Sequence, residues 1–337
     1  MSLSHLRRVL AAFSGEKTDK APVTSIAGCG GTVTVDMQRK AGVHWPKAHK
    51  DSKKMAKLSV ASHKMTGIEN ARVPFDFVVE PEALGCEIRW WNEMETVPSV
   101  KKHPYESPQD LKMPEKLLEK GRIPVVLEAI AEMRETVGDF LPISSLALGP
   151  FSLAGELAGT ERLFRWILKK PKYVEEFVDF TTEIVIEYAR AQYRAGSNIV
   201  EVADAMASID MISPKMFREF VKPALMKITR ALKGIIVLHI CGRTAPIITD
   251  IIETGFDGVS VDVEVAYIKP LAGEVRILGN VSSKKTLIFG STDDVRAECK
   301  TALEAGVDLL EPECGFSPIT PIENIKAMVE ARDEYYA

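Results

Sequence analysis

The sequence predicts an α/β fold, a (β/α)8 TIM barrel with an N-terminal extension, on three observations. From residue 123 onward, short apolar runs alternate with segments of helical periodicity, which is typical of βαβ units and a parallel sheet. About eight strands can be distinguished, which favours a closed barrel over an open doubly wound sheet. No dinucleotide-binding fingerprint follows the first strand, which argues against a Rossmann domain. We expect one domain over residues 1–337, with an irregular N-terminal region of about residues 1–120.

The predicted elements follow in chain order. Short apolar runs predict strands, and longer segments with apolar residues three and four positions apart predict helices. Helices are expected at 6–13, 52–65, 128–137, 173–194, 214–232, 245–253, 292–305 and 321–336, and strands at 21–26, 71–73, 143–148, 198–202, 235–238, 258–262, 275–280 and 307–311. A hairpin is expected at 86–100. The glycine-rich stretch 28–31 lacks the spacing of a phosphate-binding fingerprint, so we interpret it as a turn.

Composition excludes several classes of partner. The 43 basic and 47 acidic residues give a formal net charge of -4, so no general field favours nucleic acid or an anionic membrane. The five cysteines are odd in number and scattered, which argues against a disulfide framework and predicts reduced thiols in the cytoplasm. The N-terminus lacks the apolar region of a signal peptide, and no apolar stretch reaches membrane-spanning length.

Three soft side chains are the strongest candidates for a metal site. His239 and Cys241 follow the apolar run 235–238, and residues two apart in a strand project from one face. Cys314 follows the run 307–311. Two thiolates and one imidazole bind zinc and leave a fourth position open, as catalytic zinc sites do. The alternative is that these cysteines are small buried hydrophobic residues, since His-x-Cys alone is a weak signal.

The predicted barrel brings these distant positions together. In a TIM barrel, the C-terminal ends of the strands converge on one face, where active sites lie. His239, Cys241 and Cys314 occupy such ends, although 73 positions separate the two cysteines. Asp262 and Asn280 also end predicted strands, and Asp204 follows shortly after another. We therefore expect the active site at this face.

Several motifs resemble those of the methylcobamide:coenzyme M methyltransferases, a group within the uroporphyrinogen decarboxylase superfamily. The motifs are Val-Leu-His-Ile-Cys-Gly at 237–242, the distant Cys-Gly at 314–315, and Gly-Asn-Val-Ser-Ser at 279–283. The segments 121–130 and 331–337 are similar to the methanol-pathway branch of that group. The likeness extends over nearly the whole chain.

The resemblance implies a zinc ion bound by His239, Cys241 and Cys314, and transfer of a methyl group from a methylated corrinoid protein to the thiol of coenzyme M. It also implies an acidic side chain near the metal at the position of Asp262, where the family usually has glutamate. The segment 203–208 matches the family's Ala-Asp-x-x-Ala-Ser. Asp204 would then orient a zinc ligand or contact the corrinoid; its alternative role is to cap the following helix.

Zinc suits this chemistry because the thiolate is the competent nucleophile and coordination to Zn²⁺ deprotonates a thiol. The coenzyme M sulfonate also needs a binding group. Arg243, Asn280 and Ser282 are the candidates, since backbone N–H groups at a helix N-terminus and an arginine bind anions. The alternatives are a solvated rim charge for Arg243 and helix caps for Asn280 and Ser282.

Two other functions stay open beside this one. The same zinc chemistry could serve another thiol, or a methylamine or methyl sulfide pathway. The chain could also be a uroporphyrinogen decarboxylase-like protein without methyltransferase activity that binds corrinoid proteins. Decarboxylation itself is disfavoured because residues 23–34 contain no arginine, whereas the family's decarboxylases bind their substrate through an arginine-rich N-terminal loop. We expect no nucleic-acid or membrane partner.

Overall fold

A computed structural model describes residues 3–29 and 31–337 and places a curved parallel sheet at the centre of the protein. In these residues the strands are β1 (Ala71–Val73), β2 (Glu87–Arg89), β3 (Ser99–Lys102), β4 (Ile143–Leu148), β5 (Ile199–Ala203), β6 (Ile235–Ile240), β7 (Gly258–Val261), β8 (Arg276–Val281) and β9 (Leu309–Pro312). Seven of them pair in the order β1-β4-β5-β6-β7-β8-β9. The predicted hairpin is the antiparallel pair β2 and β3, which lies outside this sheet.

The segment around Val23 closes the sheet into a barrel. Val23 forms a parallel bridge with Leu310 of β9, and the Thr24 N–H donates to the Leu310 carbonyl at 3.0 Å. On the other side, the Glu69 N–H, just before β1, donates to the Val23 carbonyl at 2.7 Å. This segment occupies the eighth strand position, and the predicted TIM barrel is confirmed.

Of the predicted strand 21–26, only this single bridge forms. Beyond it, the backbone N–H groups donate to side chains instead of to a neighbouring strand. The Ser25 N–H donates to Asn70 Oδ1 at 2.8 Å. The Ile26 N–H donates to Glu311 Oε1 at 2.7 Å, and the Ala27 N–H to Glu311 Oε2 at 3.2 Å. Carboxylate and amide oxygens thus hold the chain in place where a neighbouring strand would otherwise do so.

The helices surround the sheet. They are α1 (His5–Ser14), α2 (Val35–Ala41), α3 (Ser52–Thr66), α4 (Val79–Ala83), α5 (Ile123–Thr136), α6 (Pro150–Ala158), α7 (Thr160–Lys169), α8 (Pro171–Ala195), α9 (Pro214–Met216), α10 (Lys222–Ala231), α11 (Ile248–Ile252), α12 (Val265–Ile268), α13 (Thr292–Glu304) and α14 (Ile322–Tyr335), with π-helical turns at Phe217–Val221 and Ser283–Ile288. Within residues 3–29 and 31–337, no helix combines the length and apolar character needed to cross a bilayer.

The sequence pattern did not predict α6, and it predicted one continuous helix where the structure has an interrupted one. α6 buries eight of its nine residues, so it shows no alternation of polar and apolar faces that could predict a helix. The single helix expected at 214–232 is α9, a π-helical turn and α10. Pro223 lies in the first turn of α10, where a missing N–H is tolerated. Because proline has no N–H to donate, the regular α-helical hydrogen-bond pattern cannot run through this position from the preceding residues.

Helix α1 closes the N-terminal end of the barrel. Val9, Ala12 and Phe13 lie in one apolar cluster with residues that line the barrel: Ile26, Ala27, Ile199, Val237, Leu278 and Leu309. The opposite end, where the strands finish, therefore remains the face on which side chains can meet a ligand.

Candidate metal centre

Four side chains with metal-binding atoms meet at the C-terminal end of the barrel. They are Cys29, His239, Cys241 and Cys314, and one ligand atom of each lies within 4.8 Å of those of the others. Cys29 Sγ is 3.6 Å from Cys241 Sγ, and Cys314 Sγ is 3.5 Å from His239 Nε2. The structure thus joins the three predicted ligands and adds Cys29, which the sequence analysis did not predict. We refer to these four residues as the Cys3His group.

Strand β6 orients the imidazole. His239 is fully buried and pairs in register with Ser260 of β7. Its Nδ1 lies 3.1 Å from Ser260 Oγ, and its Nε2 points to Cys314. When Nδ1–H donates to the serine hydroxyl, Nε2 presents its lone pair to a cation, which is the tautomer that a metal ligand requires.

The loop after β9 positions Cys314. Its backbone N–H donates to Ser283 Oγ at 3.1 Å, and the Ser283 hydroxyl donates to the Gly315 carbonyl at 2.8 Å. One serine at the end of the β8 loop therefore fixes the backbone on both sides of the thiol.

Buried charges position Cys29 through its neighbour Gly28. The Gly28 N–H donates to Glu201 Oε1 at 2.7 Å, and the Gly28 carbonyl accepts from Arg72 Nη2 at 2.7 Å. Arg72 and Glu201 also form a buried ion pair. At Gly28 φ is +113°, and an added Cβ would lie 2.4 Å from the Cys314 carbonyl carbon. Only glycine permits this close approach, which brings the Cys29 thiol to the other ligands.

Two distances within the Cys3His group, Cys29 to Cys241 and Cys314 to His239, fit a tetrahedral zinc ion. Zinc binds sulfur at about 2.3 Å and nitrogen at about 2.0–2.1 Å, so tetrahedral geometry spaces two sulfurs by about 3.8 Å and sulfur from nitrogen by about 3.6 Å. The observed values are 3.6 Å for Cys29–Cys241 and 3.5 Å for Cys314–His239. The cysteines are free rather than disulfide-bonded. Soft thiolate donors favour zinc over magnesium or calcium.

The four groups of the Cys3His group shift one another's pKa values. Burial opposes a charged His239, but the Cys314 thiolate beside it and hydrogen bonds to the thiols raise the pKa of the imidazole above its usual value. Hydrogen bonds from Cys29 and Cys314 lower the pKa of Cys241, whereas the hydrogen bond to Cys241 raises that of Cys29. The site therefore favours thiolate at Cys241, the form that binds metal.

Asp262 lies beside the Cys3His group but outside it. Its Oδ2 accepts the Gly242 N–H at 2.6 Å. The side chain keeps an exposed edge, yet removal of surrounding water raises the pKa of the carboxyl to about 6. Asp262 and Asn280 line a cavity of about 330 Å³ together with Glu313.

Asp204 is placed elsewhere, at the start of α6. Its carboxylate accepts the N–H groups of Phe151 at 3.1 Å and Ser152 at 2.7 Å, and the Ser152 hydroxyl at 2.6 Å. Burial raises its pKa to about 6. It therefore caps the helix that follows β4, whereas the alternative considered from sequence was a cap on the helix that follows Asp204 itself.

The three predicted sulfonate-binding residues have partners of their own. Arg243 Nε donates to Asp210 Oδ1 at 2.8 Å, and the arginine side chain is 73% exposed. Asn280 Nδ2 donates to the Val263 carbonyl at 2.7 Å. The Ser282 hydroxyl donates to Glu313 Oε1 at 2.9 Å and accepts the Lys285 N–H, so it caps the turn Ser283–Ile288.

The interpretation of residues 28–31 as a plain turn is corrected by Cys29, which contributes a thiol to the Cys3His group. Gly30 lies outside the described residues. Cys29 and Cys241 are 212 positions apart, so no local spacing links them. The available signal was a cysteine between glycines directly after the first barrel strand.

Comparison with known proteins places the chain in a family. The uroporphyrinogen decarboxylase (URO-D) family matches residues 4–335. The methylcobamide:CoM methyltransferase MtaA of Methanosarcina barkeri is 41% identical over 335 residues, 98% of either chain. A methylated-thiol–coenzyme M methyltransferase of Methanosarcina mazei is 37% identical over 330 residues, covering 97% of this chain and 89% of that protein.

A solved structure agrees with these relatives. A methyltransferase from Methanosarcina mazei is 41% identical and superposes with a TM-score of 0.95 over 100% of both chains. The resemblance predicted from the His-x-Cys and Cys-Gly motifs is confirmed, and so is the predicted transferase class. The chain therefore belongs to the uroporphyrinogen decarboxylase family, in the branch of the methylcobamide:coenzyme M methyltransferases.

Proposed function

We propose that this protein transfers a methyl group from a methylated corrinoid protein to the thiol of coenzyme M, with zinc bound by His239, Cys241 and Cys314. The observation that carries the proposal is the meeting of these side chains at the barrel end, with 3.5 Å between Cys314 Sγ and His239 Nε2. Relatives named as methylcobamide:CoM methyltransferases, aligned over 98% of the chain, support the same reaction.

The proposed reaction is a nucleophilic displacement. The thiolate sulfur attacks the methyl carbon, a sulfur–carbon bond forms, and the cobalt–carbon bond breaks with both electrons left on cobalt. A zinc ion here would stabilise the thiolate form of the substrate at neutral pH. Zinc has no redox chemistry of its own to interfere with the cobalt.

The protein side chains orient the reactants. Ser260 holds the His239 ring in one orientation through the 3.1 Å contact to Nδ1, and Ser283 holds the backbone of Cys314. We assign Asp262, whose carboxylate accepts the N–H of Gly242 directly after Cys241, the role of accepting the proton of an incoming thiol, which fits its raised pKa of about 6. We assign Asp204 a positioning role, because it fixes the start of α6 next to the barrel end.

Arg243 is our candidate for binding the coenzyme M sulfonate. It follows Cys241 by two positions at the exposed rim, and Asp210 orients its guanidinium through Nε. Arginine binds planar or branched anions through several parallel N–H groups. Asn280 and Ser282 would contribute at the same rim, since both lie at the end of β8.

A second class of methyl donor, rather than of acceptor, is favoured by one comparison. The relative from Methanosarcina mazei that is 37% identical is named a methylated-thiol–coenzyme M methyltransferase, so methyl sulfide chemistry occurs within this branch. Decarboxylation is not supported by this chain: residues 23–34 contain no arginine, and the same segment supplies Cys29 to the Cys3His group.

The test is a methyl transfer assay with the zinc-loaded protein, methylcobalamin as donor, and a panel of acceptors: coenzyme M, 2-mercaptoethanol, methanethiol and cysteine. We expect loss of methylcobalamin absorbance and methylation of coenzyme M ahead of the other thiols. Faster methylation of another thiol would replace the acceptor in this proposal. Failure to methylate any thiol, with zinc bound, would contradict the function.

A further inference from the structure

We propose that three exposed apolar side chains, of Met211, Phe289 and Ile319, form the surface on which the protein that carries the methylated corrinoid docks. We refer to these three residues as the docking patch. The inference rests on the proposed function and deepens it, because it assigns the partner a place on this chain. The side chain of Met211 is 43% exposed, that of Phe289 73% and that of Ile319 50%.

Two members of the docking patch lie on the loops that hold Cys314. Phe289 follows the π-helical turn after β8, and Ile319 lies between β9 and α14. The Ser283 hydroxyl of the β8 loop accepts the Cys314 N–H at 3.1 Å. At the start of α14, Asn324 Nδ2 donates at 3.0 Å to the carbonyl that follows Phe289. Both exposed side chains are therefore carried by loops that are fixed to each other and to a predicted metal ligand.

The third member lies on a loop that is joined to the loop of Cys241. Met211 follows β5, and the Ile209 N–H of the same loop donates to the Arg243 carbonyl at 2.9 Å. The Arg243 N–H donates in turn to Asp210 Oδ2 at 2.8 Å. Arg243 follows Cys241 by two positions in the chain. The docking patch therefore lies on βα loops from two parts of the barrel, and each part supplies a cysteine of the Cys3His group.

The methyl donor approaches the Cys3His group from this end of the barrel. Helix α1 closes the opposite end, where Val9 and Phe13 pack against residues that line the barrel. The cavity of about 330 Å³ beside Asp262 and Asn280 has the size of the smallest pockets for drug-sized ligands, so a corrin macrocycle with its side chains does not fit inside it. The corrinoid must therefore lie over the barrel end, and the surface of its carrier protein meets the βα loops there.

The residue types of the docking patch fit a protein partner. Phenylalanine and methionine are enriched in protein–protein interfaces, and apolar side chains gain free energy when a partner removes them from water. Exposed lysines lie near them in the chain: Lys215 after Met211, and Lys284 and Lys285 before Phe289. We therefore expect the carrier protein to present apolar side chains with carboxylates around them.

Methyl transfer to coenzyme M from two donors tests the docking patch. The donors are the methylated corrinoid protein, purified with its cobamide bound, and free methylcobalamin. Phe289→Ala should raise KM for the corrinoid protein about tenfold and Ile319→Ala about fivefold, as truncation of interface anchors does, with KM for free methylcobalamin unchanged. Phe140→Ala is the control, because Phe140 is 44% exposed but lies at the N-terminal end, where its carbonyl accepts the Leu6 N–H.

Binding without turnover gives a second readout. Calorimetry with the unmethylated corrinoid protein, in the absence of coenzyme M, measures Kd. Phe289→Ala and Met211→Ala should each weaken binding about fivefold or more, and Phe140→Ala should not. Lys284→Glu should weaken binding too, because it places a carboxylate opposite those of the carrier protein.

Each outcome bears on one proposal. Equal losses with both donors would overturn the docking patch, because its side chains would then act on the cobamide or the metal site. Unchanged KM and Kd in Phe289→Ala and Ile319→Ala would overturn it as well. So would light scattering that shows a wild-type dimer and a monomeric Phe289→Ala, because a second copy would then cover the patch. A corrinoid protein that binds wild type more tightly than Phe289→Ala, without methyl transfer from either donor, would contradict only the proposed function.

Discussion

The two ends of the barrel both collect buried ionisable groups, but they pair them differently. At the N-terminal end, the Glu69 carboxylate accepts from Arg8 Nη1 and Arg332 Nη1, each at 2.5 Å, and all three side chains are at most 3% exposed. At the C-terminal end, thiols approach one another and one imidazole: Cys29 lies 3.6 Å from Cys241.

The difference shows which end is complete without a ligand. Guanidinium groups already neutralise the carboxylate at the closed end, and hydrogen bonds satisfy its oxygens. The Cys3His group contains three potential anions and one potential cation, so a bound cation would complete it. In TIM barrels, stability belongs to the N-terminal face and chemistry to the C-terminal face. The ion pairs of Glu69 and the Cys3His group of this chain lie at those two ends.

Removing a predicted metal ligand should have the largest effect on zinc content and methyl transfer, and it should leave the ion pairs at the N-terminal end of the barrel unchanged. Cys314→Ala takes away one thiolate and the contact to His239, so we expect bound zinc to fall from one per chain to background and methyl transfer to disappear. Elemental analysis and the methylcobalamin assay measure both. Cys299→Ala, a buried cysteine of α13, is the control and should keep both properties. Full zinc content in Cys314→Ala would refute the ligand assignment.

Removing the carboxylate at the closed end should affect stability instead. Glu69→Gln removes the buried anion that two guanidinium groups share and leaves Arg8 paired with Asp19 and Arg332 with Asp333, so we expect a cost of about 3 kcal/mol in the free energy of unfolding, the lower end for a broken buried ion pair. Urea denaturation measures it, and Glu16→Gln, an exposed partner of Arg7, should cost about 0–1 kcal/mol. The folded variant should still bind zinc. Loss of zinc at unchanged stability would erase the distinction between the two ends.

The same carboxylate predicts an acid dependence. Burial alone would raise the pKa of Glu69, but His5, Arg332 and Arg8 outweigh it and lower the pKa from 4.5 to about 2. A lowered pKa means that this contribution is present above about pH 4.5 and is lost as pH falls through about 2. We expect it to amount to about 3 kcal/mol. Stability measured across this window should fall less in Glu69→Gln than in wild type; identical slopes would contradict the assignment.

A change next to the proposed metal site should have an intermediate effect on metal affinity. Ser260→Ala removes the partner of His239 Nδ1, and loss of such a partner weakens metal affinity by about 10–100-fold. Competition with a chelator measures the affinity. Ser145→Ala is matched, because Ser145 is also a buried strand serine but bonds to Ser197. Equal zinc affinity in both variants would show that Ser260 does not orient the imidazole.

The smallest effect is expected at the rim. Arg243→Ala should raise KM for coenzyme M about tenfold, consistent with loss of a hydrogen bond to a charged group. KM for 2-mercaptoethanol, which has no sulfonate, should change little. Arg218→Ala is the control, since Arg218 is an exposed arginine paired with Asp250. Equal changes for the two acceptors would exclude Arg243 from sulfonate binding.

Periodicity predicted much of the scaffold because burial imposes it. The strands β4 to β9 and the helices α3, α8, α13 and α14 fall within a few residues of their predicted positions. α6 escaped prediction because it is buried on nearly all sides. The ion pairs at the N-terminal end of the barrel were not predicted either. Arg8, Glu69 and Arg332 lie far apart in the chain, and no apolar pattern in the sequence indicates that such charged residues pair.

The sequence by itself determined the barrel and three candidate ligands, because the ends of parallel strands converge by geometry and His239, Cys241 and Cys314 mark such ends. Only the tertiary structure decided that Cys29 joins them. Its segment follows no regular ladder: the carboxylates of Glu311 and Glu201 hold the backbone in position. Side-chain hydrogen bonds across such separations leave no periodic trace in sequence, and therefore only the folded chain shows the fourth thiol.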